Sequence, residues 1–174
     1  LRVLVLSSHY RSQLEFSEEK LREAVESWKI VEDAAYSLRQ TFPVSTSIDV
    51  SDIRKDVEQA FEDLRNDLNT PAALTRLIRA SRRINSLWSA YRLNESASRE
   101  LRVFWELFEV LGFRLPDVSE EEISEIESLI NRRNQLRAEK KFNEADEIRR
   151  KLNERKIKLI DTAYGTFWRK VEIL

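Results

Sequence analysis

Phe142, Asp146 and Arg149 stand at positions i, i+4 and i+7, a spacing that stacks all three on one face of a helix. At about 100° per residue, that face is turned roughly 90° from the stripe formed by Ala145, Ile148 and Leu152, so it need not be core. An aromatic ring, a carboxylate and a guanidinium side by side have the parts to recognise an unpaired base. The ring stacks on the base, the arginine donates to acceptors such as guanine O6 or cytosine O2, and the carboxylate accepts from guanine N1 and N2 or cytosine N4. The same spacing also fits a plainer arrangement. Phe142 would then pack the helix start, and Asp146 with Arg149 would form a surface ion pair worth about a few tenths of a kcal/mol.

A second set is Arg76, Arg79, Arg82 and Arg83, in a stretch with no acidic residue between Asp67 and Glu95. Positions 76, 79 and 83 lie along one helix face and could track a phosphate backbone. Asp52, Asp56, Glu62 and Asp63, on the preceding helical stretch, offer them intramolecular partners instead. Charge is unevenly distributed. From Asn131 to Leu174 there are 13 Lys or Arg against 7 Asp or Glu, a balance of +6, so a total of −1 leaves −7 for residues 1–130. A basic C-terminal segment is compatible with phosphate binding, as it is with a merely solvated helical surface.

The rest of the composition removes most catalytic options. The 174 residues are 41% apolar and 35% charged, which describes a soluble globular protein able to bury a core. There is no Cys, so no thiolate nucleophile, disulfide or Cys-ligated metal site can be written. Two glycines, Gly112 and Gly165, cannot make a phosphate-cradling loop or a dinucleotide fingerprint. A single histidine, His9, leaves a Ser-His-Asp arrangement formally possible and a multi-His metal site impossible. No catalytic residue and no metal site is therefore expected. The opening run Leu1-Arg2-Val3-Leu4-Val5-Leu6 has neither the basic leader nor the cleavage site of a signal peptide and is too short to span a bilayer. With no Met in the sequence, it is expected to begin partway through a larger protein.

Positioning these side chains falls to a series of helices. Ser17 can cap a helix carrying Leu21, Val25, Trp28, Val31, Ala35 and Leu38. Ser51 opens a second with Ile53, Val57, Ala60, Phe61 and Leu64. Thr70-Pro71 reads as a cap followed by proline at the first helical position, starting a third with Leu74, Leu77, Ile78, Ile84, Trp88 and Tyr91. A fourth carries Leu101, Phe104, Leu107, Phe108 and Leu111 and stops at Gly112. Four such helices predict an all-α antiparallel bundle. Beyond Leu115-Pro116-Asp117, Ser119 and Glu122 form a capping box for a helix with Ile123, Ile126, Ile130 and Leu136. A shorter helix from about Asn143 follows, and then a small β-hairpin with Lys158–Asp161 and Thr166–Arg169 flanking a turn that contains Gly165. The division expected is 1–16, 17–112 and 119–174.

Several motifs, in order and spacing, resemble the C-terminal third of cysteinyl-tRNA synthetases. They are Ser7-Ser8-His9-Tyr10-Arg11-Ser12 with Phe16-Ser17, Asp67-Leu68-Asn69-Thr70-Pro71, Ala145-Asp146-Glu147-Ile148-Arg149, Asp161, and Gly165-Thr166-Phe167-Trp168-Arg169. The resemblance implies that residues 1–16 end a stem-contact region, that 17–112 form a DALR-type bundle, and that 119–174 form an anticodon-recognition lobe. It implies a cytoplasmic ligase of protein biosynthesis, whose N-terminal catalytic domain, outside this segment, uses ATP and zinc; the segment alone is expected to be catalytically silent. The partner implied is cysteine tRNA, read at its GCA anticodon, with no membrane involved. Carried over position by position, the anticodon-binding residues are Arg137, Phe142, Asp146, Arg149 and Asp161, and Arg11 has a packing and tRNA-contact role. Departures are visible: Phe142 stands where the family usually has Trp, Leu68 where it has Phe, Gln13 where it has Pro, and Ala163-Tyr164 where it has Pro-Gln. Two alternatives stay open, a related ligase coupling cysteine to an amino-sugar without tRNA, and a helical protein-interaction domain.

Overall fold

The computed structural model describes residues 1–171, which divide into two compact units, Leu1–Leu115 and the described residues from Pro116 onward. The first unit holds α1 (Arg2–Leu6), α2 (Glu18–Arg39), α3 (Ser51–Arg65), α4 (Thr70–Ser89), α5 (Glu95–Glu100) and α6 (Val103–Val110). The second holds α7 (Glu120–Ala138), α8 (Phe142–Glu154) and a hairpin of β1 (Ile157–Thr162) and β2 (Gly165–Lys170).

The bundle of the first unit is built on apolar stripes at helical spacing. Val31, Ala34, Ala35 and Leu38 of α2 meet Ile53, Val57 and Ala60 of α3 and Ala73, Leu74, Leu77, Ala80 and Ile84 of α4 in one buried cluster. The alanines leave room for helix backbones to approach closely, and Phe104, Leu107, Phe108 and Phe113 fill the remaining volume. Val3 and Leu4 of α1 join the same core. Ser17 caps α2 by accepting from the Lys20 amide at 3.1 Å. Two local expectations need correction. The cap of α4 is Asn69, whose Oδ1 accepts from the Ala72 amide at 3.2 Å, which moves Thr70 and Pro71 one position into the helix. The stretch before Gly112 is two short helices, α5 capped by Asn94 and then α6, because the amides of Leu101 and Arg102 close turns between them. Gly112 follows at φ +76, the left-handed position that ends α6.

In the second unit, α7 is capped by Ser119, which accepts from the Glu122 amide at 3.1 Å. Ile126 and Ile130 of α7, Leu152 of α8, and Ile157 and Leu159 of β1 make a small core, with Ile148 and Trp168 packed against it. The hairpin is antiparallel, Ile157 pairing with Lys170 and Thr162 with Gly165. Its turn is Ala163-Tyr164, and neither residue takes a positive φ. The Thr162 hydroxyl holds the turn, accepting from the Tyr164 amide at 3.1 Å and donating to the Gly165 carbonyl at 2.9 Å.

Candidate nucleic-acid interface

Burying Ala145 and Leu152 against the rest of the unit turns the other side of α8 outward. On that side Phe142 is 57% exposed, and Asp146 is exposed, its side chain without a hydrogen bond or ion pair among the described residues. Arg149 does not pair with Asp146. Its Nη1 lies 3.9 Å from Oδ2 of Asp161 on β1, so helix and strand contribute to one cluster.

Asp161 is the hub of that cluster. Its two oxygens accept from Nη1 and Nη2 of Arg133 at 2.9 and 2.8 Å, from Nη1 of Arg137 at 3.2 Å, and from the Thr166 hydroxyl at 2.9 Å. The Arg133 guanidinium, and after it the Thr166 hydroxyl, hold the Asp161 carboxyl well below the usual carboxylate range, against the opposing pull of partial burial. Three arginines around one carboxylate leave an excess of positive charge. Arg133 is buried, whereas Arg137 and Arg149 are half-exposed and keep further N–H donors facing solvent. The carboxylate left to accept from a ligand is therefore Asp146, while Asp161 fixes the arginines. Of the five residues carried over as anticodon-binding, Arg137, Arg149 and Asp161 are joined directly, and Phe142 and Asp146 share the outward side of α8.

Arg133 and Thr166 are the members that sequence reasoning missed. A signal existed for Arg133: it sits three residues after Ile130, on the apolar stripe of α7, where a cation is out of place unless a carboxylate meets it.

The arginines of α4 behave differently. Arg76 Nε donates to Asp63 at 2.5 Å, Arg79 makes a two-bond pair with Asp56, and Arg83 Nη1 lies 3.5 Å from Asp56 and 3.7 Å from Asp52. Arg76, Arg79 and Arg83 thus brace α4 against α3 through the intramolecular partners that the acidic residues of α3 offer. The packed helices bring opposite charges face to face, and direct pairing satisfies them. Arg82, off that face, is exposed and without a partner among the described residues.

Two of the quoted motifs meet at Asp67. Tyr10 donates its hydroxyl to Asp67 at 2.7 Å, Arg11 Nη2 lies 3.1 Å and His9 Nε2 3.8 Å from the same carboxylate, and the Arg11 amide donates to His9 Nδ1 at 3.3 Å. The neighbouring carboxylate pushes the Tyr10 phenol up. Asp67 and Leu68 take φ of +57 and +49 in the turn between α3 and α4, so this knot ties the segment after α1 to a tight turn. His9 is a packing and hydrogen-bonding residue here. Among the described residues no group of three or more His, Cys, Asp or Glu could hold a metal ion, and no helix is long and apolar enough to cross a membrane.

The sequence has matches among known proteins. Residues 60–116 match the DALR domain family. Across 98% of its length it is 31% identical to a cysteine–tRNA ligase from an Exiguobacterium species and 34% identical to those of Idiomarina loihiensis and Francisella tularensis. The chain is thus similar over nearly all of its length to a part of the cysteine–tRNA ligases. It spans 37–38% of the length of these curated relatives.

Proposed function

We propose that this chain is the tRNA-binding C-terminal part of a cysteine–tRNA ligase and reads the GCA anticodon of cysteine tRNA with the outward side of α8. Phe142 stacks on an unpaired base, Asp146 accepts from base N–H groups, and Arg149 and Arg137 donate to base acceptors. Asp161 holds the two arginines in place. One observation carries the reading: an exposed aromatic residue and an unpartnered carboxylate stand on the same side of α8 as an arginine whose Nη1 lies 3.9 Å from a carboxylate of a different element. Surface ion pairing alone gives no reason to leave Asp146 unpaired beside so many cations.

Cysteine activation with ATP, and any zinc, belongs to the N-terminal catalytic part of the parent enzyme. Among the described residues no group of three or more His, Cys, Asp or Glu could hold a metal, and no chemical step is assigned to them. The parent is placed in the cytoplasm, where its tRNA partner is charged. The test is titration of the chain with cysteine tRNA and with the same tRNA carrying one substituted anticodon base. A preference for the GCA anticodon is expected; equal affinity for both would overturn the reading.

A further inference from the structure

α8 ends at Glu154, and the chain turns through Arg155 and Lys156 into β1. Lys156 takes φ +63, and its carbonyl accepts from the Val171 amide at 2.8 Å, closing the open end of the hairpin. Around this turn lies a cleft of about 340 Å³, lined by Arg149, Asn153, Lys156, Lys158, Leu159 and Val171. Three of its lining residues, Arg149, Lys156 and Lys158, are cationic, with Asn153, Leu159 and Val171 beside them. No carboxylate lines it among the described residues.

The two lysines stand apart from their neighbours. Lys151 is paired with Glu147 at 3.6 Å, Arg155 with Glu125 at 2.7 Å, and Lys170 with Glu122 at 3.0 Å. The side chains of Lys156 and Lys158 have no hydrogen bond or ion pair among the described residues, and both residues are exposed. Unneutralised cations on a concave surface focus positive potential into it and favour an anion there. Arg149 joins this cleft to the base-reading side, since it lines the cleft and also lies 3.9 Å from Asp161.

We propose that the cleft seats a backbone phosphate of the RNA strand, adjacent to the unpaired base held at Phe142, Asp146 and Arg149. Lys156 and Lys158 neutralise it, and the Asn153 amide donates to its oxygens. This rests on the RNA-reading role argued above. A phosphate contact positions a strand without reading its sequence, so its signature differs from that of a base contact.

The test is the double variant Lys156→Gln with Lys158→Gln, compared with the wild-type chain on cysteine tRNA and on the anticodon-substituted tRNA over a series of KCl concentrations. The affinity for both RNAs is expected to fall by about tenfold at low salt, and the slope of log affinity against log salt to shrink by roughly 0.7–0.9, as for one lost phosphate contact. The preference between the two RNAs should persist, and the unfolding midpoint should stay put. Replacing chloride by inorganic phosphate at equal ionic strength should change RNA affinity by less than about twofold. A wild-type chain without anticodon preference would sink the functional reading itself. If that preference is present and the double variant keeps wild-type affinity and salt slope, the cleft assignment alone fails. Loss of the preference in the double variant would make the lysines base contacts, and full competition by inorganic phosphate would make the cleft a free-anion site; either result overturns the proposal.

Discussion

Arg133, 1% exposed, donates both terminal nitrogens to the two oxygens of Asp161, fastening the middle of α7 to β1 across 28 positions of sequence. The pair is built from a buried cation and a carboxylate that is 37% exposed, and the outer side of that carboxylate orients Arg137 and Arg149. One carboxylate thus both anchors α7 to β1 and faces two half-exposed arginines.

Removing one member of a buried pair strands the other. Arg133→Met leaves Asp161 with Arg137, Arg149 and Thr166, and its partial exposure screens the loss, so a destabilisation of about 2 kcal/mol is expected, below the full cost of breaking a buried pair. Asp161→Asn strands the buried guanidinium and should cost at least as much. Chemical denaturation followed by far-ultraviolet circular dichroism checks both; unchanged midpoints would remove Asp161 from its structural role.

Acid should weaken this junction. The folded state holds the Asp161 carboxyl below its unfolded value of about 3.9, so the stabilisation is complete above that pH and is lost as pH falls toward the folded value. Wild-type thermal stability is expected to drop progressively below about pH 5, with a shallower acid limb in Asp161→Asn. Parallel curves for the two proteins between neutral and acid pH would contradict the assignment.

Phe142 offers a separation of binding from folding. With its ring exposed, Phe142→Ala should shift stability by less than about 0.5 kcal/mol. RNA affinity should fall by about 1–3 kcal/mol, the usual worth of a base stacked on an aromatic ring. Phe142→Trp should keep the stacking and the affinity. Equal loss of stability and binding in the alanine variant would make the ring a packing residue.

For Asp146, the readout is discrimination. Asp146→Asn keeps the shape but removes the charge and half of the acceptor capacity, so the preference for the cognate anticodon base should shrink by about 1–3 kcal/mol with folding unaffected. A uniform weakening across all anticodon substitutions would instead assign Asp146 a general electrostatic part.

The α4 arginines yield the opposite pattern. Asp56, whose side chain is 9% exposed, depends on Arg79 for its two-bond partner, so Arg79→Ala should cost about 1–3 kcal/mol of stability while leaving the salt slope of RNA binding unchanged. Arg82→Ala, removing an unpartnered exposed cation, should stay within about 0.5 kcal/mol in stability. A salt slope reduced by Arg79→Ala would return that residue to a phosphate-contact role.

Much of this was legible in the order of the residues. Helix periodicity is a local property, so the stripes of α2, α3, α4, α7 and α8, the caps at Ser17 and Ser119, and the shared side of Phe142, Asp146 and Arg149 follow from spacing alone. Local chemistry was less decisive where two neighbours could do one job, as with Asn69 and Thr70 at the start of α4. Which cations are spent and which are free depends on what each helix faces, and that is not local. Packing α3 against α4 consumes Arg76, Arg79 and Arg83, and folding β1 beside α7 brings Asp161 to a buried Arg133. The same arrangement leaves Asp146, Lys156 and Lys158 without partners among the described residues. Sequence set which side chains share a face, because helix periodicity is local; tertiary structure decided which charges meet a partner, because that depends on elements distant in sequence packing together.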